Sequence, residues 1–565
     1  MNKNIAYILI SVYLILISVM LYFKYSLTFI NPLITNLSIF FMIFSLMFLI
    51  VYGILISNKS REIYLFFIPS IIFAFIIRSV PNLILSYPPL QDPYFYIVNS
   101  LNIINNGTIN PILNSWYPEM NFQLQWPLMH ILNSSLFFIT NIDFMQLFRF
   151  QEPFMGVIFF LGVFILAKVT TKNDKISIIA ALIATFSDVI IFYQSEYHPQ
   201  GFAFVFFVFL LYSFIKSRSI DKMNNKLLLL IFLIAFILSH HFSSLFIGFI
   251  CILYLIYYKI FSIMPITKKV FKKFSLNFKK DVQFFALIIV GSLAYHFNVK
   301  YSVLDQFIGI SNVNTPSMTV VSMGNSIPLY VTILNSTKLV VLVLALISIL
   351  WIFKTKNLNE IRLAIFSLCI LSAGVISKFV IYGPVDRFIG LYMILACIFV
   401  SIALYKFYQY PFKLLKKHGG SLTNNKRILI VALLTSIILI SGIFNSQNPS
   451  YFFKDTGTND YYWYSNVLPE MGEYKAVGDW INYSILPESK LNSKFGTTFD
   501  TTIVPFYFGS VHYYNIGAIN DSESFNSPNC RYLLINPKIP YKNLNKSEYG
   551  GYNILYDNGI NLYSN

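Results

Sequence analysis

The sequence predicts a polytopic α-helical membrane protein of about 13 spans, with a small C-terminal α/β domain outside the membrane. Three observations lead there. The 565-residue chain is 56% hydrophobic, more apolar surface than a soluble core of this length can hide. Several runs reach the ~18 apolar residues needed to cross a bilayer. The net charge of +17 is also unevenly placed. Residues 445–565 hold 8 Lys and Arg against 11 Asp and Glu, leaving 33 against 13 in residues 1–444. Most of the latter Lys and Arg fall in short loops between apolar runs, the positive-inside pattern rather than a nucleic-acid footprint.

In chain order, spans are expected near 4–23, 34–57, 63–85, 149–168, 176–194, 201–216, 227–239, 243–261, 282–299, 327–353, 361–380, 387–405 and 428–444. Residues 4–23 are long for a signal-peptide core, and no small-residue cleavage site follows them. The basic loops are 58–62, 168–175, 216–226, 259–280, 354–362 and 406–427. Placing all of them in the cytoplasm puts the N-terminus inside and the tail outside. The expected location is the plasma membrane. Residues 127–140, "PLMHILNSSLFFIT", are apolar but short. A full crossing there would reverse every downstream span against the charge pattern, so a re-entrant or interfacial segment is expected.

The tail is rich in Tyr, Asn, Gly and Ser. "EYKAVGDWINYSI" (473–485) has helical spacing, and "RYLLIN" (531–536) reads as a strand. "YNILYDNGINLY" (552–563) is a hairpin around Asn558-Gly559. The expected organisation is an N-terminal transmembrane hairpin (1–62), a transmembrane core (63–444) with outer loop 86–126, and an extracytoplasmic domain (445–565). Cys251, Cys369, Cys397 and Cys530 offer no disulfide framework. No P-loop, G-x-S-x-G, H-E-x-x-H or Rossmann glycine run occurs, so a cytoplasmic nucleotide donor has no visible binding site.

Ionisable residues near a membrane are costly and need a reason. Asp92, in "YPPLQDPYFYIVNS", can cap a surface helix, with Pro93 as its first residue. It can also serve as a general base or metal ligand. In "SEYHPQG", Glu196 and His198 are two apart in an extended loop and so point to one side. A plain polar loop explains them equally. As ligands, carboxylate and imidazole suit Mn²⁺ or Zn²⁺ better than Mg²⁺. Arg387 opens a late span, where it can hold a lipid phosphate bidentately, snorkel, or pair with Asp386. Lys378 is a second candidate phosphate contact. Arg78 is expected to be buried against a carboxylate or headgroup. His240 and His241 diverge if both are helical, so one at most serves a site.

Together these motifs resemble the GT-C superfamily of multi-span glycosyltransferases, which includes protein O-mannosyltransferases, aminoarabinose transferases and oligosaccharyltransferase catalytic subunits. The likeness runs over most of the chain. It rests on Asp92 in a long first outer loop, on "WPLMHILNSSLFFITNI" ahead of "RFQEP" (149–153), on "SEYHPQG", and on the "W-I-N … P-E-S" helix and terminal hairpin. It implies a sugar donor on a polyprenyl phosphate or diphosphate, used on the outer face. It makes Asp92 the first-loop acid that activates the acceptor or helps bind metal. Glu196 and His198 become the second acidic motif, and Arg387 the arginine on the lipid phosphate. The implied cofactor is a divalent metal (Mn or Mg) on Asp92, Glu196 and His198, or none. The implied partners are the lipid-linked donor, a glycan, lipid or protein acceptor, and membrane lipids. No W-W-D-Y-G motif is present; "DYYWYSN" (460–466) only echoes it. That departure argues against transfer to an Asn sequon. The Phe-, Ile-, Asn- and Lys-rich usage fits an AT-rich prokaryotic genome, archaeal genomes included.

Two other classes share parts of this pattern. A transporter or flippase for lipid-linked glycans would need polar residues deep in several spans. A membrane-anchored scaffold would leave the outer loops without converging charges.

Overall fold

The computed structural model describes residues 3–26, 32–84, 126–142, 144–195, 198–220, 222–263, 281–295, 329–353, 357–376, 385–409 and 424–443. It also describes parts of 96–107 and five short strands beyond residue 490. The helices are α1 (Lys3–Ser26), α2 (Pro32–Ile56), α3 (Ser60–Ile84), α4 (Leu128–Thr140), α5 (Phe144–Thr171), α6 (Asp174–Thr185), α7 (Asp188–Ser195), α8 (Pro199–Ser219), α9 (Met223–Ser239) and α10 (His241–Ile263). They continue with α11 (Asp281–Tyr295), α12 (Leu329–Ile352), α13 (Leu358–Ile376), α14 (Val385–Gln409) and α15 (Asn424–Ile443). Among the described residues, α2, α3, α5, α8, α10, α13, α14 and α15 contain stretches long and apolar enough to cross a membrane. Shorter apolar stretches lie in α1, α4, α9, α11 and α12.

Local chemistry sets the helix ends. Glu62 in the first turn of α3 accepts from the backbone N–H groups of Asn58 (3.2 Å) and Lys59 (3.4 Å). Asn173 caps α6 by accepting from Ile176 N–H at 3.2 Å. The expected span 176–194 is not one helix. It breaks at Phe186 and Ser187, and Asp188 restarts the chain as α7. Ser and Asp favour helix starts, so they reset the backbone inside an apolar run.

The chain forms two compact units. The first comprises residues 1–84, 148–195 and 199–456 and contains the large apolar core. Its centre is α14, in which every residue from Gly390 to Ile402 is buried, packed against α6, α12 and α13. Helix α8 is apolar all round and buried on most faces, as a central helix must be. The outer helices instead expose large apolar side chains, such as Phe41 (61%) and Leu350 (69%).

Several segments read as basic loops meet at one end of this unit. Asn357 Nδ2 donates to Thr170 O (3.0 Å), and Asn359 Nδ2 to Val169 O (3.3 Å) and to Ser219 Oγ (3.2 Å). Lys175 Nζ donates to Leu55 O at 2.6 Å, answering a carbonyl at the end of α2. Arg218 pairs with Asp281, and Lys168 with Asp174. Loops 168–175, 216–226 and 354–362 therefore share one face.

The second unit comprises residues 85–147, 196–198 and 457–565. It holds α4 and a five-stranded sheet of β1 (Lys494–Thr497), β2 (His512–Asn515), β3 (Tyr532–Ile535), β4 (Asn553–Asp557) and β5 (Asn561–Ser564), in the order β2-β1-β3-β5-β4. β1 pairs in parallel with β2 and β3, whereas β5 pairs antiparallel with β3 and β4. The expected strand at 531–536 is β3. The expected hairpin is β4–β5, with Asp557 opposite Asn561 and a register shift between Ile554 and Tyr556. The expected helix at 473–485 lies outside the described residues.

Candidate functional site

The second unit contains a buried polar cluster in an otherwise apolar setting. Helical residues within 96–104 supply Tyr96, Asn99 and Ser100, and α4 supplies His130, Asn133 and Ser134. All six are buried. Polar side chains out of water need partners, and several are visible. Ser100 Oγ donates to Tyr96 O at 2.9 Å and lies 3.2 Å from His130 Nδ1. Ser134 Oγ donates to Ser100 O (3.0 Å) and His130 O (2.8 Å).

The Ser100 hydroxyl has one proton to share between Tyr96 O and His130 Nδ1, so which of the two atoms donates across the serine–histidine contact depends on the His130 tautomer.

Tyr96 joins this cluster to the second acidic motif. Its ring lies 6.1 Å from that of His130 and 5.7 Å from that of His198, the latter edge-on at 77°. His198 is thus brought against a residue four positions after Asp92. Asp92, Glu196 and Lys378 lie outside the described residues. Arg387 is the third residue of α14, in the other unit. Among the described residues, no group of three His, Cys, Asp or Glu side chains could hold a metal. The proposed set of Asp92, Glu196 and His198 is not covered by that statement, because two of its members are outside.

The first unit positions the end of α7, from which "SEYHPQG" departs. Arg78 on α3 is fully buried. Its Nε and Nη2 donate to Gln194 Oε1 (3.1 and 2.8 Å), and Nη2 also donates to Thr185 O (2.7 Å). Glu152, inside "RFQEP", supplies the opposing charge. Arg78 is buried as expected, and its hydrogen bonds go to an amide oxygen and a backbone carbonyl. Two glycines make room. A Cβ on Gly156 would strike Arg78 Cδ, and one on Gly201 would strike the Tyr193 carbonyl oxygen. The glycine of "SEYHPQG" is therefore a close-approach residue that lets α8 start against the end of α7.

Sequence reasoning missed two of these residues, His130 and Gln194. His130 was read only as part of an apolar run, and its burial beside two serines has no local signal beyond the i, i+4 spacing to Ser134. Gln194 is 116 residues from Arg78. His240 and His241 do not share a helix: His240 is extended between α9 and α10, and His241 starts α10.

Membrane-length helices, exposed apolar outer faces and basic loops gathered at one end define the class: a polytopic α-helical membrane protein. No family model and no curated protein sequence matches the chain. Among solved structures, ArnT from Cupriavidus metallidurans bound to undecaprenyl phosphate superposes with a TM-score of 0.51 at 8% identity, covering 88% of this chain and 97% of that one. The apo state of that protein gives a TM-score of 0.46 at 9% identity, covering 84% and 93%. At such identity the likeness is one of fold alone.

Proposed function

We propose that the chain is a membrane glycosyltransferase that moves a sugar from a polyprenyl phosphate or diphosphate carrier to a glycan, lipid or protein acceptor on the outer face, with inversion. The observation that carries this reading is the Tyr96–His198 ring contact. Asp92 lies four residues before Tyr96, and Glu196 two before His198. At ~3.5 Å per residue, the acids are tethered within about 14 and 7 Å of that contact's backbone. The fold likeness to a protein crystallised with undecaprenyl phosphate supports the lipid carrier. The gathering of basic loops on one face supports thirteen crossings, a cytoplasmic N-terminus and an extracytoplasmic tail domain in the plasma membrane.

In this mechanism the prenyl chain stays in the bilayer, and Arg387 and Lys378 hold the phosphate. Stabilising its charge makes it a better leaving group. Asp92 takes the acceptor's hydroxyl proton as the oxygen attacks the anomeric carbon. A single displacement inverts that carbon. Two carboxylates and an imidazole are a donor set that suits Mn²⁺ better than Mg²⁺, and Asp92, Glu196 and His198 would hold such a cation. Such a cation would add positive charge beside the phosphate.

The test is transfer of a labelled sugar from polyprenyl-phosphate donors in membranes. Asp92→Asn and Arg387→Ala should each lower the rate by about 100-fold or more. Full activity in either overturns that residue's role. Movement of the lipid-linked glycan across the bilayer without sugar transfer overturns the enzyme reading altogether.

A further inference from the structure

Most hydroxyls on these helices are hidden in one way. Ser70, Thr170, Ser401, Thr435 and Ser436 each donate to the carbonyl four residues back. Thr185 and Ser187 do not. Both are buried, at 0% and 6% exposure, and neither hydroxyl has a hydrogen-bond partner among the described residues. Ser213, Ser348 and Ser367 share that lack, but each lies alone within a continuous helix. Thr185 and Ser187 instead flank the break between α6 and α7, next to the buried side chain of Asp188.

The break also turns backbone oxygen toward this place. Phe186 N–H bonds to Leu182 O at 2.9 Å, but Ser187 N–H turns to Ala184 O at 3.2 Å, so Ile183 O lacks its usual i+4 partner. Helix α6 starts at the basic face, and its 12 residues climb about 18 Å into the ~30 Å of hydrocarbon. At that depth irregular backbone survives only inside protein or along a polar cavity. Protein walls this break. Cys397 of α14 lies within electrostatic range of Asp188, and a Cβ on Gly442 of α15 would strike Phe186 O. Arg78 reaches Thr185 O from α3, and Glu152 opposes its charge.

We propose that the α6–α7 break binds one monovalent cation of sodium size, held by the Asp188 carboxylate, Thr185 Oγ1, Ser187 Oγ and Ile183 O. Carboxylate, hydroxyl and carbonyl oxygens are the ligands of hard cations. The carbonyl end of α6 adds negative partial charge. One carboxylate balances one monovalent charge, whereas a divalent ion would leave excess charge out of water. The ion ties the end of α6 to the start of α7 and so sets the angle at which α7 delivers "SEYHPQG". This inference rests on the membrane class of the chain and not on sugar transfer, so either can fail alone.

The experiment uses the full-length protein in detergent, with choline chloride keeping the ionic strength constant. Sodium should raise the unfolding midpoint and saturate, as an ion bound only by the folded state must. Potassium at the same concentration should raise it far less. Equilibrium dialysis with radiolabelled sodium should find one ion per chain. Thr185→Val, Ser187→Ala and Asp188→Asn should each weaken that binding about tenfold or more and lose the sodium-dependent rise. Three results overturn the proposal. No saturable sodium effect in the wild type means that water or a proton fills the break. Equal rises with sodium and potassium mean a general salt effect rather than a fitted ion. Undiminished sodium binding in the variants puts the ion elsewhere. If Asp188→Asn does not fold, the two hydroxyl variants decide alone.

Discussion

Replacing Arg78 by Met tests the network that fixes the end of α7. Methionine keeps much of the volume but removes all three hydrogen bonds to Gln194 and Thr185 O. It also leaves the Glu152 carboxylate buried without the guanidinium that opposes it. Each hydrogen bond from a charged donor is worth about 1.5–3 kcal/mol, but such terms do not add freely. Leaving the buried Gln194 and Thr185 acceptors without their charged donor costs about 1–3 kcal/mol or more, and we take about 3 kcal/mol as the expected loss. The assay is thermal unfolding in detergent, read by a thiol-reactive dye that reports exposure of the buried Cys251, Cys369 and Cys397. Arg78→Met should lower the midpoint by several degrees. Adding Glu152→Gln should recover part of that loss, because the neutral amide no longer needs the cation. An Arg78→Met midpoint equal to wild type, or no recovery in the double variant, refutes the reasoning.

Gly201→Ala places a methyl group against the Tyr193 carbonyl oxygen, which backbone cannot easily yield. Overpacking of this kind costs about 1–3 kcal/mol, and the same unfolding assay should show it. Equal midpoints for Gly201→Ala and wild type would mean the two helix ends are further apart than described. Ser100→Ala removes the hydroxyl between Tyr96 O and His130 Nδ1 and takes away the serine partner of that buried ring nitrogen. The expected cost is about 1–3 kcal/mol, with a shift of the His130 ring resonances in selectively labelled protein. Unchanged resonances would refute the assigned hydrogen bond.

Much of the helical skeleton was legible because apolar run length and charge placement report directly on a bilayer. The β4–β5 hairpin was legible because Asn558-Gly559 is a local turn signal. What was not legible depends on distance in sequence. β1 and β2 are four residues each, pair in parallel, and take their register from one another. The break at Phe186 was hidden because apolar residues continue on both sides of Ser187-Asp188. Gln194 and Arg78 meet only in three dimensions. In the candidate site, the order of the motifs in the sequence placed the Tyr96 and His198 stretches near one another in expectation, and the two rings are in contact. The burial of His130 beside Ser100 and Ser134 could not be read from the sequence. The unusual feature of 127–140 was visible as a length problem. Its resolution, polar side in and apolar side out, needed the burial of individual residues.

The asparagines before and within α13 have a consequence for how the protein is made. Asn357 and Asn359 satisfy the last carbonyls of α5, 187 and 190 residues earlier in the chain. At about 5–20 residues per second, a ribosome needs roughly 10–40 s to deliver them after α5 has been synthesised. During that interval the end of α5 must be hydrated, which holds it at the aqueous boundary while the next helices insert. The joint closes only when the second half arrives. Truncation between α5 and α13 should therefore leave a first half that inserts but does not set.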